Sequence, residues 1–341
     1  MINAMTRRFA TFITLIFLVI TTGDAWSQDV TVSQFIANPM FTNPGFAGSN
    51  LGPRANIMYR NQWPNLHTSF ESYSVSYDQN LEFINSGFGA SFMSSKIGGD
   101  ALVTATMSAY YAYQFRPSAD LNINLGVRGT YFQKRLNWGI VNSSPVFDTI
   151  KTMIGTGAEN EVPGNTVKNY DISVGAVFTY KENIFGGFSA EHLNSPDISF
   201  YETDTLTNLG LKTSFFAGVN IDIRKKAVRG TYYVPFIITP TIYYQGRTGF
   251  QQLSIGTFLT RGSIFTGGFY RLDFNNDAAV VAIIGAQYKQ LVFGYSFDYT
   301  LSSDSTFNGG AHELTLSFQI NNGLHRKSRS MKLGPISSPS F

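Results

Sequence analysis

The sequence predicts an all-β fold, a transmembrane antiparallel β-barrel of about 14 strands with short periplasmic turns and longer extracellular loops. The 341-residue chain begins with an export signal, continues in short segments of alternating apolar and polar residues, and has no later apolar run long enough for a membrane helix. Charged residues make up only 14% of it, whereas a soluble domain has about 25%. These features are typical of an outer-membrane barrel. A secreted pair of β-sandwiches is the alternative.

Residues 1–27 have the features of a cleaved signal peptide. Arg7-Arg8 precedes the apolar run Phe9–Ile20, which is too short to span a bilayer. Small residues in Ala25–Ser27 stand where signal peptidase requires them. We therefore expect cleavage before Gln28 and export of the mature chain to the outer membrane.

Residues 28–53 are predicted to form an irregular lead-in to the barrel. Pro39 and Pro44 each follow an asparagine, and proline removes a ladder donor and favours an extended predecessor. Repeated phenylalanines favour a segment that packs in or under the lumen, and a periplasmic tail without fixed structure is the alternative.

Residues 54–321 are predicted to form the barrel wall, because apolar residues such as Tyr73, Val75 and Tyr77 alternate with polar ones. The apolar side should meet lipid and the polar side the lumen. The longer connections follow odd-numbered segments, so the opposite end, which holds both termini, should be periplasmic. The fourteen segments lie near 54–62, 70–81, 86–96, 102–116, 120–136, 169–181, 184–193, 213–224, 234–246, 250–261, 263–274, 278–289, 291–302 and 310–321.

Several charged residues fall in or beside the predicted strands. If they point inward, they should form ion pairs that fix the strand register and narrow any pore. Charges near the water interface are the alternative. These residues are Arg128, Glu191, Arg247, Arg271 and Asp298.

No catalytic or cofactor-binding motif is recognisable. The chain has no cysteine, which excludes thiolate metal sites, and its four histidines lie on different segments without a carboxylate or histidine partner at ligand spacing. Phosphate-loop and serine-hydrolase motifs are missing. The net charge of +3 is too small to indicate nucleic acid as a partner. We therefore expect no enzyme activity and no cofactor.

Two basic groups are predicted on the periplasmic side. One lies in the connection 224–234, and the other opens the C-terminal tail, residues 322–341. A basic patch there would suit an acidic partner or lipid headgroups. A solvated turn and tail is the ordinary alternative.

Several short motifs resemble the PorP/SprF family. They are Ser33-Gln34-Phe35, Asn38-Pro39, Asn43–Ser49, Arg60-Asn61-Gln62-Trp63 and the closing Gly309–Leu314. The resemblance covers nearly the whole mature chain. Pro64 departs from the family pattern, which has a small or apolar residue after the tryptophan.

The resemblance implies an outer-membrane barrel of the type IX secretion and gliding machinery of Bacteroidota. It also implies two kinds of protein partner: a secreted adhesin with a C-terminal sorting domain, and periplasmic secretion-ring or peptidoglycan-associated proteins. The barrel wall would contact outer-membrane lipid. A channel for small or hydrophobic solutes is the alternative function. The hypothesised partner-binding residues are Phe35, Asn38, Pro39, Asn43, Pro44, Phe46, Arg60, Gln62, Trp63, Arg224, Lys225, Lys226, Arg229, Arg326 and Lys327.

Overall fold

A computed structural model describes most of the chain after residue 31. The predicted signal peptide, most of the predicted loop 137–168, the basic connection and the C-terminal tail lie outside the described residues. Within these residues, no helix is long and apolar enough to cross a membrane. The described ranges are 32–50, 52–67, 69–141, 164–181, 183–200, 208–223, 234–274, 278–301 and 309–320.

The described residues form one antiparallel sheet that closes into a barrel. The first and last strands pair from Arg54 with Gln319 to Gln62 with Ala311, which closes the ring. Strands β8 and β9 are two parts of one barrel strand, interrupted at Asn220 and both paired with β10. The predicted 14-stranded barrel is therefore confirmed. The strands are β1 Arg54–Gln62, β2 Phe70–Leu81, β3 Ser86–Ile97, β4 Leu102–Phe115, β5 Leu121–Leu136, β6 Thr166–Tyr180, β7 Ile184–Glu191, β8 Lys212–Val219, β9 Ile221–Asp222, β10 Phe236–Arg247, β11 Phe250–Arg261, β12 Ile264–Asp273, β13 Ala278–Tyr288, β14 Leu291–Thr300 and β15 Ala311–Gln319.

The described helices are short. Helix α1 spans Pro39–Thr42 and helix α2 spans Trp138–Val141, and single 3-10 turns cover Pro44–Phe46 and Glu82–Ile84. Helix α2 follows β5 and packs in a small apolar cluster with residues of β4 and with Phe200. This cluster lies at the end of the barrel that carries the long connections, here called the long-loop end. The opposite end, with turns such as 262–263 and 289–290, is the short-turn end.

The outer face of the barrel is apolar, as the alternation predicts. Met107, Leu125 and Ile284 expose 52–60% of their surface although they lie within strands. Their neighbours along each strand point into the barrel, because successive side chains lie on opposite faces. The exposed large hydrophobic residues therefore form the surface that contacts lipid.

The lumen face is polar on only part of the wall, which departs from the expectation that the polar side of each strand faces the lumen. Inward residues of β7 to β13 form a buried apolar cluster that includes Phe185, Phe216, Phe258, Phe269 and Ile283. The physical reason is that this part of the wall packs against chain rather than water. In β13 apolar residues alternate with apolar residues, and the sequence pattern does not separate the two faces.

We expect Ile284→Arg to destabilise the barrel in lipid by about 2–4 kcal/mol, because it places a charge on the lipid face near the middle of a strand. Unfolding by urea in lipid vesicles measures the change. The control is Phe83→Arg in the turn between β2 and β3, where the native side chain is 83% exposed and the cost should be about 0–1 kcal/mol. Equal losses in both variants would contradict the assignment of the lipid face.

Candidate functional site: the lumenal plug

The segment of residues 32–50, here called the plug, lies inside the lumen. Ser33 contacts residues near the long-loop end of β1, β14 and β15, whereas Gly48 contacts Asp78 near the short-turn end of β2. The chain therefore runs down the lumen and then enters β1. The plug residues from Ser33 to Ser49 are buried, except for half-buried Ala37 and Phe41.

A buried ion cluster holds the plug toward the long-loop end. Glu313 accepts hydrogen bonds from the backbone amides of Ser33 and Gln34 at 2.9 and 3.0 Å. Arg60 lies between Glu313 and Asp298, with an N–O distance of 3.0 Å to each carboxylate. Arg271 adds a second cation to Asp298 at 2.9 Å. Two guanidinium groups thus balance two carboxylates at one point where the plug meets four strands, β1, β12, β14 and β15.

A second cluster holds the plug at the short-turn end. Asp78 accepts the backbone amide of Gly48 at 2.9 Å. The same carboxylate pairs with Arg54, whose Nε and Nη2 lie 2.9 Å from its two oxygens. Gln114 of β4 donates to the carbonyl oxygen of Gly48 at 3.1 Å. Both the amide and the carbonyl of this plug glycine therefore have partners on the wall.

Two asparagines and two prolines shape the middle of the plug. The Asn38 amide hydrogen-bonds to the hydroxyl groups of Ser74 and Ser76 on β2, each at 3.3 Å. The Asn43 side chain donates to the carbonyl oxygens of Ala176 and Phe188 and accepts from the amide of Gly45. Pro39 and Pro44 each occupy the first position of a turn, where the missing backbone donor costs little.

Aromatic rings fill the space between the plug and the apolar part of the wall. Phe35 stacks on Tyr243 at 4.9 Å between ring centroids and meets Phe269 edge-on at 5.5 Å. Phe46 stacks on Phe216 at 5.3 Å. These aromatic contacts join the plug to β8, β10 and β12. Together with the polar contacts described above, they fix the plug to strands on both the polar and the apolar parts of the wall.

Three wall glycines form a close seat for the plug backbone. A Cβ atom at Gly126 of β5 would lie 2.3 Å from the Gly45 nitrogen, and one at Gly87 of β3 would lie 2.1 Å from the Ala47 oxygen. A Cβ atom at Gly175 of β6, the register partner of Gly126, would lie 2.2 Å from an Asn43 side-chain oxygen. The plug approaches the wall more closely here than any side chain allows.

The sequence-predicted site residues divide into three groups. The first group lies in the plug or in the ion cluster that holds it at the long-loop end. Its members are Phe35, Asn38, Pro39, Asn43, Pro44, Phe46 and Arg60. Gln62 accepts from Arg60 at 3.2 Å, and Trp63 lies at the rim after β1, where its ring meets Phe70 at 5.5 Å. Their role in partner binding stays a prediction. The third group, the basic residues, lies outside the described residues. Its members are Arg224, Lys225, Lys226, Arg229, Arg326 and Lys327.

Several residues of the site were missed by sequence reasoning. The ion clusters that hold the plug include Asp78, Glu313 and Arg54. The wall surface against which the plug backbone packs is formed by Gly87, Gly126 and Gly175. The charged residues had a usable signal, because each stands at an inward position of an alternating strand. The glycines had none, since glycine also occurs at turns and on the lipid face.

A third ion cluster lies on the wall, away from the two ion clusters that hold the plug. Arg128 of β5 contacts Glu191 of β7 at 2.6 Å, and Lys212 of β8 lies 3.7 Å from the same carboxylate. Asp171 lies 3.2 Å from the His192 ring. The prediction of inward ion pairs is confirmed for Arg128 with Glu191 and for Arg271 with Asp298. In the described part of the chain, no group of histidine and carboxylate side chains has a metal-binding arrangement.

A closed barrel with an apolar outer face and a plug from its own N-terminal segment defines a plugged outer-membrane β-barrel. The family described as "Type IX secretion system membrane protein PorP/SprF" matches residues 25–318. The chain belongs to this family and is thereby a type IX secretion outer-membrane protein.

Comparison with solved structures finds other membrane barrels. The Pseudomonas putida toluene transporter TodX is 10% identical, with a TM-score of 0.47 over 88% of this chain and 96% of that one. The monoaromatic hydrocarbon channel CymD is 11% identical, with a TM-score of 0.46 over 82% and 91%. The Acinetobacter baumannii outer membrane protein Omp33 is 8% identical, with a TM-score of 0.44 over 80% and 100%. No curated protein matches by sequence.

Proposed function

We propose that this barrel is a non-enzymatic part of the type IX secretion and gliding machinery. It supports the export or surface attachment of a secreted adhesin that carries a C-terminal sorting domain. Family membership is the observation that carries this proposal. Its partners are the adhesin domain at the cell surface and ring or peptidoglycan-associated proteins in the periplasm. The proposed contacts for these periplasmic proteins are the basic residues Arg224, Lys225, Lys226, Arg229, Arg326 and Lys327.

The plug supports a docking role over free passage of solutes. Its residues contact strands on all sides of the lumen and are fixed at two heights by buried carboxylates. A barrel with such a plug offers its rim and loops to a partner rather than an open pore. The alternative, a channel for small or hydrophobic solutes, predicts instead that the purified wild-type barrel conducts or transports them.

Deletion of the gene should leave cells viable but remove one adhesin from the cell surface. Antibody labelling of intact cells measures surface adhesin, and blotting of cell fractions measures the retained protein. A complementing wild-type copy should restore the surface signal, and a copy of an unrelated outer-membrane barrel should not. Unchanged surface adhesin in the deletion strain would contradict the proposal.

A further inference from the structure

Charge is distributed unevenly around the short-turn end of the barrel. From β2 to β7, each connection at this end carries one acidic residue, Glu82, Asp120 or Glu182. From β9 to β15, the chain segments at this end contain no aspartate or glutamate, and Asp222, the last residue of β9, stands at the border. These segments are residues 223–235, 262–263, 289–290 and 320–341. The rim from β9 to β15 is here called the basic half, because it carries Arg261, Lys289 and the two basic groups of the sequence.

Backbone hydrogen bonds join the described turns of the basic half into one edge. The Gln287 amide donates to the carbonyl oxygen of Ser263 at 2.7 Å, and the Gln319 amide donates to the carbonyl oxygen of Gln290 at 2.8 Å. Arg261, the last residue of β11, and Lys289 therefore lie on adjoining turns. In the described part of the chain, neither of them forms a salt bridge.

Tyr288 places the charge of Lys289 at the boundary between lipid and water. This tyrosine ends β13 on the outer face and exposes 71% of its surface. The Lys289 Nζ atom lies 5.3 Å from the centroid of the Tyr288 ring. Tyrosines at strand ends form the aromatic girdle of a membrane barrel, at the level of the lipid headgroups. The ammonium group therefore lies at the height of the lipid phosphates.

Arg261 lies on the same outer face. Its register partner on β12 is Ile264, which exposes 61% of its surface to the outside. Register partners in an antiparallel pair point to the same side of the sheet. Two cations thus meet the headgroup layer on neighbouring turns of the basic half.

We propose that the basic half binds the headgroups of anionic phospholipids, such as phosphatidylglycerol, in the periplasmic leaflet. The short turns of an outer-membrane barrel face the periplasm. Basic residues close to a membrane surface attract lipids with a net negative headgroup, whereas a zwitterionic headgroup has no net charge to attract. From β2 to β7, where acidic residues accompany the basic ones, the attraction is weaker. The inference rests on Arg261 and Lys289 and not on the proposed secretion role.

Native mass spectrometry tests the proposal on the purified barrel, released from nanodiscs that contain equal amounts of phosphatidylglycerol and phosphatidylethanolamine. We expect the wild-type barrel to retain more phosphatidylglycerol. Arg261→Gln and Lys289→Gln should each reduce this preference by about fivefold, the usual contribution of one basic residue near an anionic membrane surface. Equal retention of the two lipids by the wild type would overturn the proposal, and it is the result expected if the basic half binds an acidic protein instead.

Lys181→Gln is the matched control for Lys289→Gln. Lys181 has the same left-handed backbone, with φ of 50° against 55°, and its Nζ atom lies 5.2 Å from the centroid of the Tyr180 ring. It belongs to the side of the rim where Asp120 and Glu182 lie nearby in the connections. We therefore expect Lys181→Gln to keep most of the lipid preference. A loss equal to that of Lys289→Gln would assign the preference to any tyrosine–lysine turn and refute the role of the basic half.

Discussion

Gly126→Val should displace the plug and convert a closed barrel into a conducting one. Even a Cβ atom at this position would lie 2.3 Å from the Gly45 nitrogen and from the Pro44 carbonyl carbon. These are backbone atoms, so no rotamer change relieves the overlap. Valine adds two methyl groups to the clash. Since the wall is fixed by hydrogen bonds on both sides of β5, the plug is the part that must move.

Single-channel recording in planar bilayers measures this effect. We expect little or no current from the wild-type barrel and steady open levels from Gly126→Val. Gly129→Val is the matched control, because it lies on the same strand and a Cβ atom there meets nothing within 4 Å. It should remain as closed as the wild type. A folded Gly126→Val barrel with the same closed baseline as its control would show that the plug does not seal the lumen.

The barrel should survive the loss of its plug. Its strands pair around the full ring, with β15 returning to β1, and the plug contributes no strand to that ladder. The backbone groups of the wall therefore stay satisfied when the plug leaves. For this reason conductance, rather than loss of fold, is the informative readout for Gly126→Val.

The strands were the most predictable part of the molecule. Period-two alternation predicted all fourteen barrel strands, and β1 has the predicted bounds Arg54–Gln62. Alternation depends on a face that meets lipid, and every strand has one. It predicted the lumen face poorly on β13, because Val281 and Ile283 are apolar where the plug keeps the interior dry.

The contacts of the plug could not be read from the sequence, because they join residues far apart in the chain. Ser33 meets Glu313 across 280 positions, and the residues between them fix the distance only once the ring has closed. In the structure, three of the short motifs that resemble the family converge at one point. The motif Ser33-Gln34-Phe35 contributes two backbone amides to the ion cluster at the long-loop end. The motif that begins at Arg60 and the motif Gly309–Leu314 contribute Arg60 and Glu313 to the same cluster. These motifs thus have a structural reason in this chain, the attachment of its plug.

Arg60→Leu should destabilise the folded barrel by about 3–5 kcal/mol, the typical cost of removing one partner from a buried ion pair. Arg60 is 2% exposed, and Glu313 is fully buried. Without Arg60, Asp298 keeps Arg271 at 2.9 Å, but Glu313 loses its guanidinium partner. Urea unfolding in detergent measures the loss. The control is Arg135→Leu at the exposed end of β5, which should change stability by about 0.5 kcal/mol or less.

A second substitution separates the loss of charge balance from the loss of packing. Glu313→Gln in the Arg60→Leu background removes the unpaired charge, while the amide oxygen still accepts from a plug amide. If buried charge is the main cost, the double variant should recover a large part of the lost stability, although it lacks both members of the pair. If packing of the Arg60 side chain is the main cost, the second change adds no recovery. Recovery would therefore assign the stability of this end of the plug to charge balance around Glu313, and its absence would contradict that account.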